Sequence, residues 1–241
     1  MISTSNSNQF DNESFIILGN ALETEQSIAV AAARRGARVV LGLPGEEPTT
    51  AVDEGGGISV VTAKMCSESG IRHVFDESLE RLADISVLIH CLSVPELSGQ
   101  SLAETSRNEW DQMMSVCLRE PFLSSQGAIQ EFLAAGAGGR IVFVLSLAAD
   151  RTKSRVGCAV VQPALYAFIR SIAKEYGRRG IFCNAVAIHP ANDPQHRSNA
   201  SRDAVTETVL FLASGEASFV NGEMIPVADS ASHNASIRQG E

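Results

Sequence analysis

Three groups of side chains in this 241-residue chain are of types that could do chemistry. Cysteines and histidines come first: Cys66, Cys91, Cys117, Cys158 and Cys183, with His90 beside Cys91 and His189 farther on. Such sets are the usual ligands of zinc. Here, however, the cysteines are odd in number and lack CxxC spacing, which argues against both a disulfide framework and a structural zinc site and fits a reducing cytoplasm. A second group, Asn20, Glu23 and Glu25, follows Gly19 at the end of the apolar run FIILG. Asn20-x-x-Glu23 has the spacing of a capping box, and two carboxylates there would complement the positive end of a helix dipole. Ser146 forms the third, closing RIVFVLS. A hydroxyl at a strand end reads as a turn or cap group when no catalytic partner stands beside it.

The elements that must position these groups are legible from periodicity. Short β-branched runs at 15–19, 37–43, 58–61, 85–91, 140–146 and 181–188 alternate with helical segments. Continuously apolar strands are buried on both faces, and strand–helix alternation implies right-handed crossovers. The expectation is a single-domain α/β fold with a Rossmann-like, doubly wound parallel sheet. In GCAVVQPALYAFIRSIAKEYGRRG (157–180), Leu165, Phe168, Ile169, Ile172, Ala173 and Tyr176 recur at helical spacing, with Gly177 and Gly180 closing the helix. Trp110, Met113, Met114, Cys117 and Leu118 mark another helix, which should kink or break at Pro121. The segment 44–57, rich in Pro and Gly, reads mostly as loop. Residues 1–14 and 229–241 read as flexible polar tails around a domain at 15–228.

Composition narrows the function classes. With 44% hydrophobic and 20% charged residues, the chain can bury one full core. A net charge of −9 with no basic stripe argues against nucleic acid and anionic lipid as partners. No apolar run approaches the roughly 18–20 residues of a membrane span, and the polar start has no secretory pattern. A cytoplasmic protein is the expectation.

Order and residues together resemble the short-chain dehydrogenase/reductase family over most of 15–228. The resemblance is carried by ALYAFIRSIAKEYGRRGIFCNAVA and VLFLASGEASFVNGEMIPV, with support from EWDQMMSVCLREPFLSSQGAI and GGRIVFVLS. It implies a nucleotide-dependent oxidoreductase assembled as a dimer or tetramer. It also implies a glycine-rich turn, TGxxxGxG, for the cofactor pyrophosphate. The matching residues are Leu18, Gly19, Asn20, Ala21, Leu22, Glu23, Thr24 and Glu25, so two glycines have become glutamates. Each carboxylate within about 5 Å of a phosphate would cost on the order of 3 kcal/mol at an effective dielectric near 20.

The reaction residues have changed as well. Family positions for the proton-transferring Tyr and its Lys fall on Cys158 and Gln162, the Ser is kept as Ser146, and the supporting Asn falls on Cys117. A thiol ends just beyond Cβ and cannot replace a phenol reaching across a ring, and a glutamine brings no charge to shift a neighbour's pKa. The family's NNAG matches His90–Ser93, its PG matches His189 and Pro190, and its adenine-side acidic residue falls on Ala63 or Lys64. The segment 190–214 is short for the family, implying a shortened substrate lid.

The resemblance therefore implies a degenerate member with no catalytic, metal or dinucleotide site of its own. Its assembly helices and last strand are kept. The expected role is a noncatalytic subunit that pairs with an active paralogue, on which NAD(P) would sit. The expected complex is a heteromeric hydroxyacyl-CoA-type dehydrogenase, with anaerobic toluene degradation as the candidate pathway. Two alternatives stay open. One is a homo-oligomeric, ligand-sensing or regulatory protein using the vacated cleft; the other is a thiol or metal site built from Cys91, Cys117 and Cys158.

Overall fold

The structure, a computed structural model, describes residues 9–20, 23–46, 49–52, 57–93, 103–146, 156–189 and 199–228. The strands are β1 (Ser14–Gly19), β2 (Arg38–Pro44), β3 (Thr49–Val52), β4 (Ile58–Ala63), β5 (Val87–Ser93), β6 (Gly139–Ser146), β7 (Ile181–His189) and β8 (Met224–Ala228). The helices are α1 (Glu23–Ala33), α2 (Glu68–Leu82), α3 (Arg107–Met114), α4 (Glu120–Ala135), α5 (Val156–Tyr176) and α6 (Asn199–Ala213). Among the described residues these strands form one sheet in the order β3-β4-β2-β1-β5-β6-β7-β8. All neighbours are parallel except β3 and β4.

Burial on both sides explains the apolar runs. Ile16, Leu18, Val40, Leu88, Ile141 and Phe143 face one core, shared with α2, α4 and α5. Phe15, Ile17, Val39, Ile89, Val142 and Val144 face the other, shared with α1 and α6. Because side chains alternate along a strand, adjacent residues enter different cores.

The structure departs from the sequence reading at two places and at a third, Pro121, decides between the two outcomes expected. Thr49–Val52, expected as loop, pairs antiparallel with β4 from Thr49↔Thr62 to Val52↔Ser59. Thr-Thr-Ala-Val, half of it β-branched threonine, suits a pleated edge. The helix before Pro121 does not break. Instead, Ser115–Arg119 form a π-turn, and the Glu120 N–H reaches Ser115 O. Pro121 lacks an N–H and would press its ring on the Cys117 carbonyl, so the wider turn lets α3 run into α4 without that clash.

Upstream of position 15, Phe10 is buried and meets Phe15 edge-on at 5.0 Å between ring centroids. The Phe10 N–H also donates to Arg35 O at 2.8 Å. The packed domain thus starts earlier than expected, because one aromatic anchors the turn before β1. Residues 1–8 and 229–241 lie outside the described residues.

Helix α5 follows its sequence pattern. Leu165, Ile169 and Ile172 are buried, Phe168 and Tyr176 pack on the same core, and Gly180, at φ +75°, ends the following turn. No described helix is long and apolar enough to cross a membrane.

Candidate cofactor and reaction site

The strand order reverses between β1 and β5, and their carboxyl ends therefore flank the crevice where a doubly wound sheet holds its ligand. Gly19 lies beside Cys91 in the paired register. Asn20 follows β1, and its Oδ1 accepts the Ser93 N–H at 3.3 Å, tying the two strand ends together. Glu23 opens the described part of α1, and Ala21 and Leu22, which separate it from Asn20 in the expected capping box, lie outside the described residues. Its carboxylate is exposed and pairs with Arg202 at 3.1 Å. The two residues of the expected box are thus engaged with other elements.

Glu25 behaves differently. It is completely buried in the first turn of α1, and its carboxyl group lies against the Cα of Gly19. A Cβ built on Gly19 would stand 2.5 Å from Glu25 Cδ and 2.6 Å from Cγ, so a side chain there would require the glutamate to move aside. The position matching the family's third glycine therefore carries a side chain folded back over the position matching the first. The negative charge reaches Cys91, whose thiol is pushed well above its ordinary range first by burial and then by Glu25.

The reaction positions are spread over three elements. Cys117 is buried in the π-turn, Ser146 ends β6 opposite Ser93, Cys158 lies in the first turn of α5, and Gln162 stands one turn on, exposed. The side chains of Ser146, Cys158 and His189 lie outside the described set, as does the segment 190–198 in which the shortened lid would fall. On the adenine side, Ala63 is buried at the end of β4. Lys64 is exposed, and its carbonyl accepts the Ser67 N–H at 3.0 Å and hydroxyl at 2.7 Å.

Two members of the proposed thiol set, Cys91 and Cys117, are kept apart, and the side chain of the third, Cys158, lies outside the described residues. Cys91 faces the core shared with α1 and α6, whereas Cys117 belongs to the opposite core, with the sheet between them. One residue's shift along a strand exchanges its face, and linear proximity to a former active centre could not register that. Among the described residues no group of three or more His, Cys, Asp or Glu side chains is placed to hold a metal ion.

A polar cluster that sequence reasoning missed sits behind the crevice, between β5 and α4. His90 is wholly buried; its Nδ1 lies 2.8 Å from Ser124 Oγ and its Nε2 3.3 Å from Glu120 Oε1. The Ser124 hydroxyl donates to Pro121 O at 3.1 Å, so its oxygen is free to accept from Nδ1–H. Glu120 Oε2 in turn accepts from the Cys66 thiol at 3.4 Å. Burial, with the Glu120 charge second, raises the Cys66 thiol to about 11. The only sequence signal was a histidine amid the apolar residues of β5, a position where a buried imidazole requires partners.

A family model described as enoyl-(acyl carrier protein) reductase matches residues 25–202. The chain is 25% identical over 226 residues to 2-dehydro-3-deoxy-D-gluconate 5-dehydrogenase of Escherichia coli, covering 84% of this chain and 88% of that protein. It is 26% identical over 234 residues to the (2S)-[(R)-hydroxy(phenyl)methyl]succinyl-CoA dehydrogenase subunit BbsD of Thauera aromatica, covering 88% and 93%. Its fold superposes on a solved short-chain dehydrogenase/reductase of Serratia marcescens with a TM-score of 0.77 at 19% identity, covering 92% and 98% of the two chains. With the family model spanning well over half of its length and the sheet order in agreement, the chain belongs to the short-chain dehydrogenase/reductase family.

Proposed function

We propose that this chain is a noncatalytic subunit that associates with an active short-chain dehydrogenase/reductase and stabilises or completes it. NAD(P) would be carried by the partner. The observation that carries the reading is the buried Glu25 side chain, seated on Gly19 where the family's glycine turn admits a pyrophosphate. Hydride transfer needs a bound carrier, and proton transfer needs a group reaching into the pocket. Cys158 and the exposed Gln162 replace the Tyr and Lys that perform the second task in the family. The relatives named above are dehydrogenases, and the reading separates this chain from them on those substitutions alone.

Support for a partner comes from the surface. Phe122 and Leu133 on α4, Val160 and Tyr166 on α5, Phe211 on α6 and the fully exposed Phe219 lie on or beside the helices through which family members assemble. Exposed apolar side chains on such elements, α4 and α5 on one side of the sheet and α6 on the other, favour association with other chains. The Thauera aromatica relative is by name one subunit of a dehydrogenase acting on a hydroxyacyl-CoA, which supports a heteromeric dehydrogenase of that class. On this reading the partner is the catalytic chain of such an enzyme, with anaerobic toluene breakdown as the candidate pathway.

Co-expression with candidate catalytic chains, followed by native mass and activity measurement, is the test. A heteromer with altered partner stability or activity is expected. Self-assembly alone, with every candidate's activity unchanged, refutes the reading. Cys158→Tyr combined with Gln162→Lys should give no dehydrogenase activity while Glu25 remains; activity in that variant would show that a carrier still binds.

A further inference from the structure

Resting on the reading above, we propose that Glu25 is a tethered occupant of the pyrophosphate position, its carboxylate standing over Gly19 in place of a cofactor phosphate. Three observations converge on it. The carboxyl group is buried without remainder, although carboxylates almost never are unless the fold provides for them. It lies in the first turn of α1, where the helix dipole favours a negative charge and where a dinucleotide's phosphates sit in a doubly wound fold. It also fills the space over Gly19 that any Cβ would need, which assigns the retained glycine a new reason to be there. Gly19 makes room for the side chain six positions on, not for an incoming phosphate.

The neighbouring Glu23 serves as an internal control. It occupies the other altered glycine position but points outward to Arg202, with its side chain 71% exposed. Exclusion of an anion should therefore depend on Glu25 and hardly at all on Glu23. Among changes at residue 25, alanine is the informative one, because dinucleotide turns accept either Gly or Ala at the third glycine position and alanine keeps the helix.

The experiment measures NADH and inorganic pyrophosphate binding by fluorescence and calorimetry for wild type, Glu25→Ala and Glu23→Gln. Glu25→Ala should bind at least about tenfold more tightly than wild type, and Glu23→Gln should match wild type. Equal, weak binding by wild type and Glu25→Ala overturns this inference and leaves the noncatalytic reading standing. Tight NADH binding by wild type overturns both. A second measurement covers the case in which Glu25→Ala folds poorly. Gly19→Ala should lower Tm by about 3–10 °C, as overpacking by one methyl does in a domain of this size. Adding Glu25→Ala should recover most of that loss. If Glu25→Ala changes Tm by the same amount in the Gly19→Ala background as in wild type, Glu25 is not seated on Gly19, and the inference fails.

Discussion

Each face of the sheet buries one carboxylate near the β1/β5 crevice, and the two are held in opposite ways. Glu120 has two named polar neighbours: His90 Nε2 lies 3.3 Å from one oxygen, and the Cys66 thiol donates to the other. Glu25 lies over a glycine in the first turn of a helix, and its charge is felt by Cys91. One carboxylate belongs to a polar cluster tying α4 to β5. The other takes up room that an open cofactor turn would leave vacant. Burial alone is therefore no guide to what a charge does in this fold. What surrounds it decides whether it acts as a strut or as a plug.

The largest effect expected from breaking this contrast is at Glu120. Glu120→Ala would leave His90 and Cys66 facing an unfilled polar hole, and urea unfolding should show a loss of about 3–5 kcal/mol, the range for deleting one partner of a buried pair. Glu120→Gln keeps an acceptor for the thiol and should cost less than half as much.

Next in size is coupling. A double-mutant cycle on His90 and Glu120 should return an interaction of about 1–3 kcal/mol, whereas Glu25 and Glu120, with the sheet between them, should add within about 0.5 kcal/mol. Coupling between the two carboxylates as strong as that within the cluster would erase the distinction drawn here.

Alkaline pH gives a smaller, graded effect. The folded state holds the Cys66 proton up to about 11, against 9.0 for an ordinary thiol, and Cys91 and Cys183 are shifted the same way by burial. Between those values the unfolded chain has lost protons that the folded chain keeps, so stability is complete below about pH 9 and falls as pH rises toward 11. Tm followed across that window should decline, and Cys66→Ala should flatten part of the slope. Smallest of all is Glu23→Gln, which removes an exposed ion pair with Arg202 and should change stability by no more than about 0.5 kcal/mol.

Much of the architecture was legible because it depends on local pattern. Apolar runs such as FIILG and RIVFVLS commit strands to burial on both faces, and the three-and-four spacing of Leu165, Ile169 and Ile172 commits α5 to one stripe. The changed turn residues Glu23 and Glu25 were visible too, since a glycine motif is contiguous in sequence. Hidden from the sequence was that one of the two glutamates turns inward and the other outward. The four-residue β3 was hidden as well, because its stability comes from pairing with β4 and not from its own composition.

What the sequence by itself determined, then, is the doubly wound sheet, the helix stripes and the residue types at every family position, all set by short-range periodicity and local chemistry. Only the tertiary structure decided which faces those residues took and whom they met. Strand alternation sent Cys91 to the core under α1 and α6 while Cys117, in the π-turn, packs on the opposite face, and chain crossing brought His90 to Glu120 and Ser124, 30 and 34 residues away. Packing of α1 on β1 laid Glu25 over Gly19. The physical reason is common to all three. A side chain's environment is fixed by the register and packing of elements distant in sequence, and that information is absent from any local window.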